Sequence, residues 1–248
     1  NEAHFAAIVS AIAPYQKITK ILVTHSHLDH APLARRLSAY CGAPVFAYGD
    51  SGAGRTPQMI ALCAAGTIGG GEGVDYAFQP DIALEDRAVL DHEGQELIAI
   101  WTPGHFGNHM AFAWHGALFS GDHVMAWAST MISPPDGDLA AFRRSCTKLQ
   151  QRSEKIYLPG HGATIKDGPA RLDWLLTHRQ QREAQIISHL QGRPNTPQGL
   201  AEAIYKDINP QLIPAAIRNV LAHLIDLCER DLAACHGPID LQAKYSVI

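Results

Sequence analysis

Residues 25–30 read H-S-H-L-D-H, three histidines and one aspartate within six positions of the 248-residue chain. Imidazole nitrogens and carboxylate oxygens are the ordinary ligands of borderline-soft divalent ions such as zinc, at about 2.0–2.2 Å. His25 and His27 are two apart, so on an extended segment they point the same way. Asp29 and His30 fall beyond a bend and can serve a neighbouring ion. Three later positions offer the same chemistry: His105 in T-P-G-H, Asp122 in S-G-D and His161 in L-P-G-H-G.

Each of these groups follows an apolar run of strand type. I-T-K-I-L-V-T (18–24) is β-branched and ends at His25, and 43–48 is a second buried strand. Further strands are expected at 88–90 and 95–101, a hairpin at 110–122 turning at His115-Gly116, and one more strand running into a loop over 155–162. Helices are expected at 2–13, 31–40, 57–65 and 139–152, and 49–80 reads as a long glycine-rich excursion. Strand, loop and helix alternate, an α/β pattern. In such a fold the loops after strands converge at one edge of a sheet. From 169 the texture changes to three helices (169–191, 197–206, 211–230) and two short β-prone stretches (232–235, 242–248). That order describes a winged-helix module, with a boundary near residue 175.

Composition sets the limits. Net charge is −4 and charged residues make up 18 %, which gives the chain no general attraction for nucleic acid or anionic membrane. No apolar run nears the roughly 18 residues of a membrane span. The first residues lack a basic secretory n-region. Five scattered cysteines without CxxC spacing point to reduced thiols and a cytoplasmic protein. Residues 179–248 carry seven Lys/Arg against seven Asp/Glu, so the tail offers no excess charge for phosphates and duplex DNA is disfavoured. Packing over the active-site rim, or a homodimer interface, is the expected role of the tail.

H-x-H-x-D-H, a later T-P-G-H, a G-D and a final G-H-G, in that order, resemble the metallo-β-lactamase superfamily. The resemblance implies an αββα sandwich over 1–175 followed by a small winged-helix domain over 176–248. It implies one metal on His25, His27 and His105, a second on Asp29, His30 and His161, and Asp122 bridging both. Two Zn2+ per chain would hold a bridging water and lower its pKa toward about 7, polarise the scissile bond and stabilise the oxyanion. Asp29 is then the candidate catalytic residue that orients the water and moves its proton.

Class B1 and B2 β-lactamases place a cysteine in the second site. Asp29, His30 and His161 fill that site here, closer to the glyoxalase II and ribonuclease branches. A glutathione clamp is not evident, and only 38 residues separate Asp122 from His161, too few for an inserted ribonuclease domain. G-D-H-V-M-A-W-A-S-T-M-I-S-P-P-D-G-D (121–138), with the C-terminal helices, resembles β-lactamase-like hydrolases carrying a winged helix, whose animal mitochondrial member is a single-strand endoribonuclease. The substrate expected is therefore a small ester or thioester, or single-stranded RNA. Asn108, His109 and Trp127 are candidate substrate-facing residues.

The other histidines (4, 92, 115, 123, 178, 189, 223, 236) are expected in turns or on solvated faces. So are the arginine pairs 35–36 and 143–144. In the family the first histidine motif follows several strands; here one helix and one strand precede it, and an incomplete first sheet is expected. The alternative function is a metal-stabilised regulator whose winged helix binds nucleic acid without catalysis.

Overall fold

A computed structural model describes residues 2–248. Helix α1 (Glu2–Ala11) is peripheral, with Phe5 and Ile8 half-buried against the core beside it. Strands β1 (Ile21–Leu22), β2 (Val45–Ala47) and β3 (Ile82–Ala83) make a parallel sheet in that order, and α2 (Pro32–Cys41) crosses between β1 and β2. Ladder bonds Ile21 N–H to Pro44 O and Val23 N–H to Phe46 O carry the first strand to the edge of the metal-type cluster. Helix α3 (Pro57–Ala65) starts where Thr56 Oγ1 accepts from Met59 N–H.

The second sheet has five strands in chain order: β4 (Val89–His92), β5 (Gln95–Trp101), β6 (Met110–Trp114), β7 (Ala117–Gly121) and β8 (Ile156–Pro159). All neighbours are antiparallel except β7 and β8, which run parallel with α4 (Leu139–Gln150) crossing between them. The β6–β7 turn has positive φ at His115 (50°) and Gly116 (74°), as a two-residue hairpin loop requires.

Alternation along β6 shows how the layers stack. Met110 and Phe112, beside Ala99 of β5, face the first sheet, where they meet Phe46 and Leu84. Ala111 and Ala113 face the other way, into a core with Phe142, Cys146 and Leu149 of α4. Ala31, Ala34 and Leu37 cover the outer face of the first sheet. Helices, two sheets and helices thus form the αββα sandwich.

Helix α5 (Gly168–Leu190) runs unbroken through residue 175. Its Leu172 and Leu175 lie in the sandwich core, and its Ile186 and Leu190 in the C-terminal core. That second core gathers α6 (Pro197–Ile204), α7 (Ile213–Glu229) and the antiparallel pair β9 (Ala233–His236) and β10 (Lys244–Val247). Met59 and Leu62 of α3, with Ile68, also belong to it, so the glycine-rich excursion is packed against the winged helix.

Three surface expectations are corrected. His123 and His223 are fully buried, because the packing of α4, α5 and α7 closes over them. Arg143 is not simply solvated: Nη1 donates to Asp226 Oδ2 at 2.7 Å and Nη2 to Glu183, tying α4 to α7 and α5.

Candidate metal centre

Thr24 O accepts from Met110 N–H at 2.7 Å, linking the end of the first strand to the second sheet. The chain therefore leaves β1 at the seam between the sheets, and His25 is fully buried there. His25 and His27 follow in extended backbone, pinned by Asp75 N–H to Ser26 O and Leu28 N–H to Gly73 O. The chain then turns: both His30 N–H and Ala31 N–H bond to His27 O. This turn sends Asp29 and His30 to the other side of the cluster.

The seven candidate side chains converge from four segments. His25 Nε2 lies 2.8 Å from His27 Nδ1, and His105 Nε2 lies 3.2 Å from the same atom. On the other side His30 Nε2 is 3.2 Å from His161 Nε2, which is 3.0 Å from Asp29 Oδ2. Asp122 stands between: its Oδ1 is 3.4 Å from His30 Nε2, and its Oδ2 is 3.5 Å from His161 Nε2 and 3.9 Å from His105 Nε2. Donor atoms of His25, His27 and His105, of His25, His30 and Asp122, and of Asp29, His30 and His161 each fall within 4.8 Å of one another.

Hydrogen bonds on the far side of the rings set which nitrogen faces inward. Met131 O accepts from His105 Nδ1 at 2.8 Å, leaving Nε2 as a lone pair. Thr24 Oγ1 meets His25 Nδ1 at 3.0 Å and braces that ring from behind. Burial, reinforced by the neighbouring rings, holds His25 well below the ordinary histidine pKa and brings His27 to about 4. Burial also lowers His105. These three imidazoles are neutral, the form that binds a metal.

His30 behaves differently. Burial opposes its charge, but the Asp122 carboxylate outweighs that and raises it. Burial pushes Asp122 upward in turn, and His30, His105 and His161 bring it below the usual carboxylate value.

Two close approaches demand glycine. A Cβ on Gly160 would lie 2.5 Å from Asp122 Oδ1 and 2.8 Å from His30 Cε1. At Gly104 (φ +146°) it would lie 2.4 Å from Phe142 Cα, so the loop bearing His105 rests directly on α4.

Two of the three substrate-facing candidates are corrected. Asn108 and His109 are fully buried behind the cluster. Asn108 Nδ2 donates to Asp50 O at 2.8 Å and Ser26 Oγ at 3.1 Å, which fixes the His25–His27 segment. His109 Nδ1 bonds Thr102 Oγ1 at 2.8 Å while Nε2 accepts from Asp122 N–H at 3.2 Å, which positions the aspartate. Neither has a polar atom left for substrate. Trp127 is 71 % exposed and lies against the His161 loop, where a Cβ on Gly162 would be 2.7 Å from its Cδ1. Met131, whose main-chain oxygen orients His105, carries no sequence signal at all, because any residue offers a carbonyl.

A divalent ion with nitrogen and oxygen preference fits these donors. Neutral ring nitrogens face one another at hydrogen-bond separations, and Asp122 Oδ1 is buried without a hydrogen-bond partner. A cation between the rings and the carboxylate satisfies both.

Residues 14–161 match the family model described as the metallo-beta-lactamase superfamily, and residues 196–238 match the beta-lactamase associated winged helix domain. The chain belongs to the metallo-beta-lactamase superfamily of hydrolases. It is 32 % identical over 218 residues to the beta-lactamase-like protein 2 homolog of Drosophila melanogaster, covering 85 % of this chain and 68 % of that protein. An atrochrysone carboxyl ACP thioesterase of Aspergillus fumigatus is 26 % identical over 233 residues, covering 91 % of this chain and 65 % of the thioesterase. The chain spans between about half and two thirds of the length of these and of the lactamase-like protein adaB of Aspergillus niger, where the share is 47 %. Among solved structures, a beta-lactamase domain protein from Burkholderia ambifaria superposes with a TM-score of 0.80 at 21 % identity, over 99 % of this chain and 78 % of that one. A metallo-beta-lactamase family protein from Thermus thermophilus gives 0.75 at 26 % identity, over 98 % and 84 %.

Proposed function

We propose that the chain is a dinuclear zinc hydrolase of acyl ester-type bonds, with a thioester as its substrate. The observation that carries this reading is the convergence of His25, His27 and His105 on one side of Asp122, and Asp29, His30 and His161 on the other. Those six would hold the two ions and Asp122 would bridge them. When bound, such ions supply a Lewis acid and a water acidic enough to ionise near neutral pH.

The protein's own groups do the positioning. Met131 O holds the His105 ring in one tautomer, Thr24 Oγ1 braces the His25 ring, and His109 holds Asp122 through its main-chain N–H. Asp29 is exposed at the rim, 3.0 Å from His161, where its carboxylate can take a proton from the attacking water and pass it to solvent or to the leaving thiolate. In balance, the water oxygen bonds to the carbonyl carbon, the C–S bond breaks, and a carboxylic acid and a thiol leave.

A thioester is favoured over RNA on two grounds. The similarity to the Aspergillus thioesterase extends over 91 % of this chain. Helix α7, the element that would enter a groove, is largely buried, with Val220 to Leu227 all inside. That also weighs against a nucleic-acid-binding regulator. Among the described residues no helix is long and apolar enough to cross a membrane. The five cysteines are free thiols, which supports a reducing, cytoplasmic setting.

The test is a substrate panel of acyl thioesters, lactones, phosphodiesters and single-stranded RNA, run on zinc-loaded and EDTA-treated protein with metal analysis alongside. Thioester turnover that EDTA abolishes and Zn2+ restores, at two zinc per chain, is expected. RNA cleavage without acyl turnover, or less than about one zinc per chain under saturating metal, overturns the reading.

A further inference from the structure

A cleft of about 590 Å³ lies between the sandwich and the C-terminal domain. This is within the roughly 300–1,000 Å³ of small-molecule sites. Its apolar wall is built by Ile68, Met131, Pro214, Ala215, Ile217 and Leu241. A smaller cavity of about 80 Å³ touches His27 and His105 and shares Glu72, Met131 and Ser133 with the cleft. Through these shared residues the cleft beside the winged helix adjoins the cavity at the candidate ligand histidines, with Met131 at the junction.

Among the described residues lining the cleft the one cation, Arg218, is already engaged. Arg218 Nε donates to Ser133 Oγ at 2.8 Å, and its other nitrogens bond Ile68 O and Pro134 O. Glu72 is mostly exposed, 3.8 Å from Arg218 Nη2. The arginine holds the cleft walls together, so no cation is left free there for a phosphate chain. The groove suits an uncharged, apolar substituent leading to a polar reacting group at its histidine end.

We propose that this cleft is the acyl-binding site, taking the alkyl or aryl group of the thioester with its carbonyl toward His27 and His105. The inference rests on the thioesterase reading above. Pro214, Ala215 and Ile217 come from α7 and Leu241 from the segment before β10, so the C-terminal domain sets acyl-group selectivity.

Burying a methylene strengthens binding by roughly fourfold. The experiment compares S-decanoyl- and S-acetyl-N-acetylcysteamine on the zinc-loaded full chain, and measures decanoate binding to the EDTA-treated chain by calorimetry. The wild type is expected to prefer decanoyl by at least about tenfold in kcat/KM and to bind decanoate without metal. Ile217→Trp and, two residues earlier on the same helix, Ala215→Trp each narrow the cleft; each is expected to cut that preference and the decanoate affinity at least about tenfold. Far-ultraviolet circular dichroism identifies whichever variant folds.

Thioester hydrolysis with no chain-length preference, no decanoate binding and no effect of a folded variant overturns the cleft and spares the reaction. Decanoate binding that the variants weaken, with no thioester hydrolysed, upholds the cleft and overturns the reaction. Neither binding nor hydrolysis overturns both.

Discussion

The Nε2 of His109 accepts the main-chain N–H of Asp122 at 3.2 Å, while its Nδ1 bonds the Thr102 hydroxyl at 2.8 Å. A fully buried, neutral imidazole therefore fixes the backbone of the residue that stands between the two halves of the cluster. Thr102→Val removes the partner that holds this tautomer. The variant should lose about 1–2 kcal/mol of stability and about tenfold or more in metal affinity. Urea denaturation and a competitive chelator titration measure the two. Unchanged metal affinity would show that His109 is only filling space.

Asp122→Asn keeps the shape of the side chain and removes its charge. Turnover should fall by more than about 100-fold, the electrostatic stabilisation of a charged transition state being the usual dominant contribution. The fold should persist by circular dichroism. Metal analysis should show weakened occupancy, because both groups of histidines share this carboxylate.

Gly160→Ala tests the closeness of the last loop to the centre. The added methyl would meet Asp122 Oδ1 at 2.5 Å and His30 Cε1 at 2.8 Å. The loop must retreat and take His161 with it. Expected are occupancy nearer one metal than two and a loss of activity larger than any loss of Tm. Two metals bound and full turnover in the variant would contradict the placement of His161.

Acid should destabilise the metal-free chain. Burial brings His123 to about 3 and holds His223 well below the ordinary value, while the unfolded chain titrates near 6.5. The unfolded state then binds more protons between these limits, so stability is full above about pH 6.5 and declines as pH falls toward 3. Each such group contributes up to about 1.4 kcal/mol per pH unit in that window. Both ring nitrogens of His223 lack hydrogen-bond partners. His223→Leu should therefore flatten the dependence of the urea midpoint between pH 7 and pH 5. A slope equal to the wild type would refute its burial as a neutral ring.

Arg143→Ala leaves the buried Asp226 carboxylate with Arg230 alone and removes the link from α4 to α7. A loss of about 2–3 kcal/mol is expected, since a buried carboxylate keeps only one of its two charged hydrogen-bond partners. Asp226→Asn in the same background should recover part of it, read by denaturant midpoints.

Much of the molecule was legible from one dimension. The candidate ligand set could be read because metal chemistry admits few side chains, and because each of its four segments follows a strand whose apolar run is itself visible. The α/β alternation and the two-residue hairpin followed from local signals, the hairpin from His115-Gly116, while the αββα order came with the resemblance that the motif order carries. The metal roles of the seven residues rest on motif order and on their convergence here.

Tertiary packing decided the rest. Whether a histidine is a ligand, a brace or an unpartnered ring depends on which elements cover it, and His109, His123 and His223 differ only in that. Asn108, a candidate for substrate from its place beside the T-P-G-H loop, spends its amide on Ser26 and Asp50, which the chain folds around it. The sequence by itself determined the chemistry of the centre, since donor types and their spacing are local properties. Only the tertiary structure decided which donors share an ion-sized space, and that the winged helix closes a groove beside them, since Met131 and Ile217 meet across 86 residues of chain by packing alone.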